Sequence, residues 1–365
     1  MKSVTVIGAR PQFVKAAALS KELSARPQIE EIIIDTGQHY DANMAGIFFE
    51  ELKIPKPKYN LGIGSGSHAA QTGKALISIE EILLKEKPDV VIVYGDTNAT
   101  LSGALAAAKL YIPIAHIEAG LRSFNRKMPE EINRVLTDHL AKFLFTPGDT
   151  ASSNLRKEGV AANSIYQVGD IMFDSVNLFS DLARKQSKIL DRLELKSKAF
   201  ILSTLHRAEN VDSPSRLKNL LSQLNLIAKE ILPVVLPLHP RTKKMMAELS
   251  DGNWSHVKFI EPCGYLDMLR LVESAQIVAT DSGGLQKEAF FLKTPTVVCR
   301  SETEWVELVD LGWSRLANPD SSRDLFDQTE AHLKAKIWQV APSIQPYGDG
   351  RSAYKIKEIL AGTLR

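Results

Sequence analysis

Short apolar runs, rich in valine and isoleucine, alternate along the chain with longer segments of helical periodicity. Runs of this kind between helices are typical of parallel strands that are buried on both faces of a sheet. A helix is predicted over Ala69–Lys85, where apolar residues recur at helical spacing ahead of Pro88. The strands predicted in the first half of the chain are Ser3–Ile7, Glu31–Asp35, Asp89–Tyr94, Ile112–Ile117 and Phe143–Thr146.

The same alternation restarts in the second half, after a polar, helix-prone stretch at Asp174–Lys198 that carries no strand pattern. We therefore predict an α/β fold with two Rossmann-like domains. The first domain is expected to cover residues 1–172, joined by a final helix over 353–365, and the second to cover residues 173–352. The strands predicted in the second domain are Phe200–Thr204, Val234–Leu238, Val257–Ile260, Ile277–Thr280 and Thr296–Cys299.

Length and composition agree with this division. The chain has 365 residues, which at about 150 residues per domain corresponds to two domains. It is 44% hydrophobic and 24% charged, with a formal net charge of +2 and no basic run that would indicate nucleic-acid binding. No apolar stretch is long enough for a membrane span and no signal peptide is evident, so we expect a cytoplasmic protein. Cys263 and Cys299 are too isolated for a disulfide framework or a thiolate metal site.

The residues that follow each strand are the candidates for chemistry, because ligands of open α/β sheets bind beyond the carboxyl ends of the strands. After the first strand, Gly8 permits a sharp turn, and Arg10 and Lys15 lie at the start of a helix. The free N–H groups and the dipole of a helix N-terminus favour an anion, so a phosphate or a developing oxyanion is the expected guest. Two solvated surface cations are the alternative. The segment is not G-x-G-x-x-G, so a dinucleotide is not indicated.

Three carboxylates follow the strands of the first domain. Asp96 comes after the third predicted strand, Glu118 after the fourth, and Glu131 at the start of the next helix. Crowded carboxylates repel one another and raise one pKa, which is how a base and an acid arise from one residue type. Simple helix capping is the alternative for Asp96, and helix-dipole complementarity for Glu131. His116, just before Glu118, is either a site residue or a packed histidine.

The second domain offers a histidine at the end of each of two strands, His206 and His239. The Ser-Gly-Gly sequence at residues 282–284 opens a helix, where glycine lets backbone N–H groups approach a phosphate closely. Glu288, one turn further, would repel phosphate but could accept the hydroxyls of a ribose. Arg300 follows the last predicted strand, and a surface loop with a half-buried tryptophan is the alternative reading of its surroundings.

Taken in order, these segments resemble the non-hydrolysing UDP-N-acetylglucosamine 2-epimerases over nearly the whole chain. The motifs that carry the resemblance are GARPQFVK, TGQH, YGDTNAT, HIEAGLR, MPEEINR, TLHRAEN, LHPR, TDSGGLQKEA and RSETEW. The family has a GT-B-like fold, with UDP in the deep cleft between two Rossmann-like domains and a last helix that crosses back to the first domain. The resemblance also implies a homodimer, a UDP-sugar substrate, and no metal, NAD or other cofactor.

The resemblance implies a role for each candidate residue. Residues 262–265 would flank the uracil. The residues implied to hold UDP are Arg10, His239, Tyr265, Ser282, Gly283, Gly284, Glu288 and Arg300. Those implied to be catalytic are Asp96, Glu118, Glu131 and His206 around the sugar, and Lys15 near the diphosphate.

The implied reaction interconverts UDP-GlcNAc and UDP-ManNAc, for cell-surface polysaccharide precursors. A carboxylate removes the C2 proton while UDP leaves C1, and UDP then adds back to the 2-acetamidoglucal with proton delivery to the opposite face of C2. The cations and helix N-termini would stabilise the leaving diphosphate.

This sequence departs from the family pattern in two places. Many members begin G-T-R-P-E, whereas this chain has Ala9 and Gln12. The segment Gln38–Met44 also differs from the Q-H-R-x-M-L-D stretch that forms part of a second, activating UDP-sugar site in many bacterial members. The GARPQF and TGQHYD motifs are similar to the branch that acts on UDP-2,3-diacetamido-2,3-dideoxy-glucuronate, which is the alternative substrate. A UDP-sugar glycosyltransferase and a non-catalytic UDP-sugar sensor are the alternative functions.

Overall fold

A computed structural model describes residues 1–37, 55–249, 252–337 and 345–364. The chain forms two compact units, Met1–Leu178 with Gln345–Arg365, and Phe179–Ile344. The unit boundaries therefore lie at 178/179 and 344/345, compared with 172/173 and 352/353 in the prediction from sequence. None of the helices in the described ranges is both long and apolar enough to cross a membrane.

The described part of the first unit contains a parallel sheet of seven strands: β1 (Lys2–Ile7), β2 (Glu30–Asp35), β3 (Tyr59–Asn60), β4 (Val90–Tyr94), β5 (Ile114–Ile117), β6 (Phe143–Thr146) and β7 (Ile165–Gln167). Their order across the sheet is β3-β2-β1-β4-β5-β6-β7. The central strands form because their apolar side chains, mainly Val and Ile in β1, β2, β4 and β5 and Phe and Leu in β6, are buried, as parallel sheets covered by helices require.

The described part of the second unit contains six parallel strands: β8 (Ile201–Thr204), β9 (Val234–Pro237), β10 (Val257–Ile260), β11 (Ile277–Thr280), β12 (Thr296–Val298) and β13 (Ser314–Leu316). Their order is β10-β9-β8-β11-β12-β13. Separate apolar clusters pack on the two faces of this sheet, one against the Leu217–Ile227 helix and one against the Leu271–Ala275 segment.

Fifteen α-helices cover the sheets within the described ranges: α1 (Arg10–Ser24), α2 (His68–Glu86), α3 (Asn98–Lys109), α4 (Pro129–Leu140), α5 (Asp149–Lys157), α6 (Ile171–Gln186), α7 (Ile189–Arg192), α8 (Ala208–Val211), α9 (Pro214–Glu230), α10 (Pro240–Ala247), α11 (Tyr265–Ser274), α12 (Gly283–Phe291), α13 (Val306–Asp310), α14 (Asp324–Ala335) and α15 (Ser352–Thr363). The polar, helix-prone stretch at Asp174–Lys198 contains most of α6 and all of α7, and the boundary between the units falls within α6.

The final helix, α15, belongs to the first unit and packs against α1. The Lys357 Nζ pairs with Glu22 at 2.7 Å. The start of α15 has no side-chain cap of its own. The Asp174 carboxylate instead accepts hydrogen bonds from the backbone N–H groups of Ser352 and Ala353, at 3.1 and 2.9 Å. A carboxylate from another helix thus stabilises this N-terminus, where free N–H groups and the helix dipole favour negative charge.

The strand order reverses once in each described sheet, between β1 and β4 and between β8 and β11. Open α/β sheets bind ligands at this position, because the connections leave in opposite directions and open a crevice beyond the strand ends. The loops at these reversals are those after Ile7, Tyr94, Thr204 and Thr280. The topology therefore selects these loops as the centre of the candidate site residues in each unit.

Three strands were missed by the sequence pattern: β3, β7 and β13. Each has only two or three residues, and most of these residues are half-buried or exposed. Such a strand lacks the apolar run that marks a buried one, so only its pairing with a neighbour defines it. The glycine-rich segment LGIGSGS, residues 61–67, comes directly after β3.

Candidate functional site

A buried ion pair lies beyond the ends of β1 and β5. The Lys15 ammonium on α1 pairs with the Glu118 carboxylate, and both side chains are about nine-tenths buried. Glu118 has a φ of 71°, a left-handed conformation that costs a non-glycine residue about 1 to 2 kcal/mol. Its backbone N–H is held by the Phe145 carbonyl at 3.1 Å. Strain of this kind, retained by surrounding hydrogen bonds, is typical of functional sites.

A second carboxylate, Asp96, lies in the loop after β4 and pairs with Arg134 of α4. The other terminal nitrogen of Arg134, Nη1, lies 3.2 Å from the Glu131 carboxylate. Glu131 also accepts hydrogen bonds from the backbone N–H groups of Ser123 and Phe124, at 2.9 and 3.0 Å. Glu131 thus fixes the loop that follows β5, and Arg134 bridges two of the three predicted carboxylates.

The pKa of Asp96 is raised above its usual value. Burial is the main cause, the Glu118 charge adds to it, and Arg134 and Lys15 oppose it. The side chain keeps 30% of its exposed area, so it is accessible while its surroundings disfavour the charge. A carboxyl group in this state exchanges protons more readily near neutral pH than an ordinary aspartate.

Gln12, one of the departures from the family pattern, connects two loops of this group. Its side-chain oxygen accepts hydrogen bonds from the backbone N–H groups of Gly8 and Ala9, at 2.8 and 3.1 Å. Its amide nitrogen donates to the Tyr94 carbonyl at 2.7 Å and to the Thr97 hydroxyl at 3.0 Å. The amide therefore joins the end of β1 to the end of β4, which carries Asp96.

Replacing Gln12 with methionine, which has a similar shape but no amide, should lower the free energy of unfolding by about 1 to 3 kcal/mol, since it leaves buried polar groups without partners. Urea unfolding followed by circular dichroism measures this change. The matched control is Gln28→Met, at an exposed glutamine of the same unit, which should unfold at the wild-type midpoint. An unchanged midpoint for Gln12→Met would contradict a stabilising role for the amide.

In the second unit, Asp281 organises the loop that carries His206. The carboxylate is fully buried and accepts hydrogen bonds from the backbone N–H groups of His206 and Arg207, each at 3.1 Å. The Asn210 amide donates to it at 3.2 Å. The ring Nδ1 of His206 lies 3.1 Å from the same carboxylate. This contact directs the opposite ring nitrogen, Nε2, away from Asp281.

The N-terminus of α12 follows β11 at the reversal of the second sheet. Ser282 is the N-cap, and its hydroxyl accepts from the Leu285 N–H at 3.4 Å. The next two N–H groups, of Gly283 and Gly284, have no acceptor within the helix because they belong to its first turn. Gly284 is exposed and no atom lies within 4 Å of where its Cβ would be. This helix start is therefore suited to an anion.

His239 caps α10 at the end of β9. Its Nδ1 accepts a hydrogen bond from the Arg241 N–H at 3.3 Å, so the ring is oriented with Nε2 outward. Partial burial, His206 and Arg241 together lower the pKa of His239. The two histidine rings lie 6.4 Å apart between centroids. A ring that is neutral at pH 7 can present an outward Nε2–H donor to a phosphate oxygen.

Two further predicted residues carry specific partners in this unit. Arg300 is buried and donates to Glu304 at 2.8 Å. Burial opposes the charge of Glu304, but Arg300 outweighs it and holds the pKa of Glu304 below its usual value. Tyr265, at the start of α11, donates its hydroxyl to Glu288 at 3.3 Å. Glu288 itself lies on α12, about one turn beyond the N-terminus that is suited to an anion.

The structure therefore groups the predicted residues within each unit. In the first unit Lys15 pairs with Glu118, and Arg134 joins Asp96 to Glu131. In the second unit the ring of His206 lies near that of His239, and Tyr265 contacts Glu288 on the helix that begins with Ser282, Gly283 and Gly284. Arg300 contacts Glu304, which was not among the predicted site residues. Arg10 begins α1, and its side chain lies outside the described part of the structure, as does Gln38–Met44. Within the described ranges, no cluster of His, Cys, Asp or Glu is arranged to hold a metal ion.

Sequence reasoning missed three residues that hold the predicted ones in place: Arg134, Asp138 and Asp281. Arg134 and Asp281 lie within two of the motifs that resemble the family, MPEEINR and TDSGGLQKEA. The sequence therefore showed that they lie near the candidate residues, but it did not show which residues they contact. Asp138 lies on α4 and contacts His116 and Arg122. No local pattern marks such a residue, because its partners come from a strand and a loop far away in sequence.

The fold, together with the group of candidate residues in each unit, defines the class of protein. This is a GT-B-like α/β protein whose first unit carries a carboxylate cluster and whose second carries a helix N-terminus suited to phosphate. The family model described as UDP-N-acetylglucosamine 2-epimerase matches residues 21–361. The chain belongs to this family.

Several relatives and solved structures match over nearly their full lengths. A Methanococcus maripaludis protein described as a UDP-N-acetylglucosamine 2-epimerase homolog is 50% identical, and 99% of each chain is covered. The UDP-2,3-diacetamido-2,3-dideoxy-D-glucuronate 2-epimerase of Pseudomonas aeruginosa is 49% identical, again over 99% of each chain. The crystal structure of Methanocaldococcus jannaschii UDP-GlcNAc 2-epimerase with UDP-GlcNAc and UDP superimposes with a TM-score of 0.87 and 44% identity, covering 99% of this chain and 100% of that chain.

Proposed function

We propose that the protein is a non-hydrolysing UDP-GlcNAc 2-epimerase, which interconverts UDP-GlcNAc and UDP-ManNAc. The observation that carries the proposal is the carboxylate cluster of the first unit, in which Glu118 pairs with Lys15 and Asp96 pairs with Arg134. Inversion at C2 requires one group that removes a proton and another that delivers a proton to the opposite face. Two separately paired carboxylates meet this requirement, whereas a glycosyltransferase needs a single base.

The residues of the second unit would hold the UDP moiety. The free N–H groups of Gly283 and Gly284 would bind the diphosphate, with His239 and Arg300 as further donors. Glu288 would accept the ribose hydroxyls. These donors would stabilise the negative charge that develops on UDP as its bond to C1 breaks.

The groups of the first unit would act on the sugar. In the proposed reaction Glu118 and Asp96 exchange protons with C2, Glu131 orients the loop after β5, and Lys15 neutralises charge beside Glu118. The raised pKa of Asp96 suits a group that must both accept and return a proton. His206, oriented by Asp281, would assist the departure of UDP. The product would serve as a precursor of cell-surface polysaccharides.

The second candidate substrate is UDP-2,3-diacetamido-2,3-dideoxy-glucuronate. It is favoured by the Pseudomonas aeruginosa relative, which is 49% identical to this chain, compared with 50% for the Methanococcus maripaludis relative. This sugar differs from GlcNAc in a C3 acetamido group and a C6 carboxylate. The chemistry at C2 is the same for both sugars, so the catalytic residues would serve either.

Incubation in deuterated water with each sugar nucleotide, followed by proton NMR, tests the proposal. UDP-GlcNAc should gain deuterium at C2 and yield the manno isomer, while the diacetamido sugar should react at a lower kcat/KM. The reverse order of kcat/KM would favour the second candidate. Absence of C2 exchange with both sugars would contradict epimerase activity, and sugar transfer to an acceptor without exchange would indicate a glycosyltransferase.

We also propose a cytoplasmic homodimer. Exposed apolar side chains lie on two helices that both pack against α3, namely Ile77 and Leu84 on α2, and Ile132 and Leu136 on α4. Replacing Ile132 and Leu136 with glutamate should convert a dimer into a monomer, because a second copy would have to bury these charges. Light scattering after size-exclusion chromatography measures the mass. Val306→Glu, at an exposed apolar residue of the second unit, is the control that should stay dimeric. A wild-type monomer would contradict the proposal.

A further inference from the structure

His116, at the end of β5, is fully buried between two hydrogen-bond acceptors. Its Nδ1 lies 2.6 Å from a carboxylate oxygen of Asp138, and its Nε2 lies 2.7 Å from the backbone carbonyl oxygen of Gly95. A neutral imidazole has one N–H, so it would leave one nitrogen lone pair facing an acceptor. Both contacts are satisfied when the ring carries an N–H on each nitrogen.

The ring is part of a network of polar and charged side chains. The second oxygen of Asp138 accepts from the Arg122 guanidinium at 2.7 Å and from the Gly120 N–H at 3.1 Å. Burial opposes the charge of Asp138, but His116 and Arg122 outweigh it and lower its pKa. The far side of Arg122 pairs with Glu158 at 2.7 Å. The ring is thus joined through Asp138 and Arg122 to Glu158.

This network holds the backbone on both sides of the carboxylate cluster. The Gly95 carbonyl belongs to the residue just before Asp96, and the Gly120 N–H lies two residues after Glu118. On the other side of the loop, the Asn133 amide donates to the backbone carbonyl of Asp96 at 2.9 Å. His116 therefore connects the loop of Asp96 to Asp138, the same carboxylate that fixes the loop of Glu118.

We propose that His116 is a positioning residue, which fixes Asp96 and Glu118 relative to each other through Gly95 and Asp138. This inference rests on the proposed function of the two carboxylates. Neither ring nitrogen is available to a substrate, because both are occupied and the residue is fully buried. Its effect on the reaction is therefore geometric: it keeps two proton-transferring groups at their places beside C2.

His116→Phe, which keeps a ring of similar size but no donors, tests this role. The kcat for epimerisation should fall about 10- to 100-fold, as expected when reacting groups shift by about 1 Å, while the KM changes little. The kinetic isotope effect on kcat with UDP-GlcNAc deuterated at C2 should increase, since proton transfer becomes more rate-limiting. UDP affinity, measured by calorimetry, should equal that of the wild type, because its proposed ligands lie in the second unit.

A second variant and a control separate positioning from folding. His116→Gln retains one donor nitrogen, in its side-chain amide, so it should recover part of the lost kcat. His139→Gln is the matched control, since His139 is exposed, lies next to Asp138 at the end of α4, 3.6 Å from Glu158, and should keep wild-type kcat and isotope effect. The rates of His116→Phe should be normalised to the number of UDP-binding sites, which counts the folded enzyme. The proposal would be contradicted if the loss of kcat disappears after this normalisation, or if the isotope effect is unchanged.

Hydrogen exchange distinguishes this inference from the proposed function. In His116→Phe, the backbone amides of residues 95–97 should exchange faster than in the wild type, whichever sugar the enzyme accepts. If the wild-type enzyme does not incorporate deuterium at C2 of either sugar, the proposed epimerase function is overturned. The backbone amide exchange rates would still test the hydrogen-bond network around His116. Unchanged amide exchange in His116→Phe would overturn the positioning role even in an active epimerase.

Discussion

Replacing Glu118 with glutamine should lower the kcat for epimerisation by about 10²- to 10⁴-fold, the range in which positioned acid–base groups contribute. Glutamine keeps the shape of the side chain but cannot take a proton from C2. It also removes the negative partner of the buried Lys15 ammonium, which would leave a positive charge beside the proposed position of C2. Deuterium incorporation at C2, followed by NMR, measures the loss directly.

The control for this experiment is Glu130→Gln, at an exposed glutamate on the first turn of α4 next to Glu131. It removes the same charge from the same neighbourhood and should keep the wild-type rate. Circular dichroism should show that Glu118→Gln is folded. Wild-type C2 exchange in folded Glu118→Gln would remove this carboxylate from the proposed reaction and leave Asp96 as the candidate base.

Gly284→Ala should weaken UDP binding about 10- to 100-fold, which corresponds to about 1.4 to 2.8 kcal/mol. The added methyl group meets no atom within 4 Å beyond its chain neighbours and the backbone of its own helix, so it causes no clash in the free enzyme. It would instead occupy the space through which a phosphate oxygen approaches the first turn of α12. Calorimetric titration with UDP measures the affinity.

Stability separates this effect from damage to the fold. Alanine has a higher helix propensity than glycine by about 1 kcal/mol, so Gly284→Ala should unfold at the same temperature as the wild type or slightly above it. Gly73→Ala is the matched control, because Gly73 lies inside α2 and also has open space where a Cβ would stand. Like Gly284→Ala, it should unfold at the wild-type temperature or slightly above it, but it should bind UDP with wild-type affinity. Unchanged UDP affinity in Gly284→Ala would contradict close approach of a phosphate at this turn.

The alternation of apolar runs and helical segments was enough to predict the α/β class, since a strand buried on both faces must be apolar throughout. Most of the strands that were predicted start or end within two residues of the observed ones, as with Ile112–Ile117 against Ile114–Ile117. The short strands β3, β7 and β13 were not predictable, because they gain their stability from a neighbouring strand and carry little apolar side-chain area of their own.

The sequence by itself determined which chemical groups stand at the ends of the strands: Lys15, Asp96 and Glu118 in the first unit, and the Ser-Gly-Gly helix start in the second. These groups can be identified from local sequence alone, because the loop after a strand is recognised from the apolar run of the strand and from the residues of the loop. The pairing of these groups was decided only by the tertiary structure. Asp281 contacts His206 because β8 and β11 are neighbours, with Thr204 opposite Thr280 in the register.

The same reason explains why the role of His116 could not be predicted from the sequence. Its place before Glu118 indicated either a site residue or a packed histidine, and sequence could not separate the two. The answer depends on Asp138 and Gly95, which approach the ring only after β4, β5 and α4 have packed together. A hydrogen bond is set by distance and direction in space, and residues about twenty positions apart along the chain acquire both only through the fold.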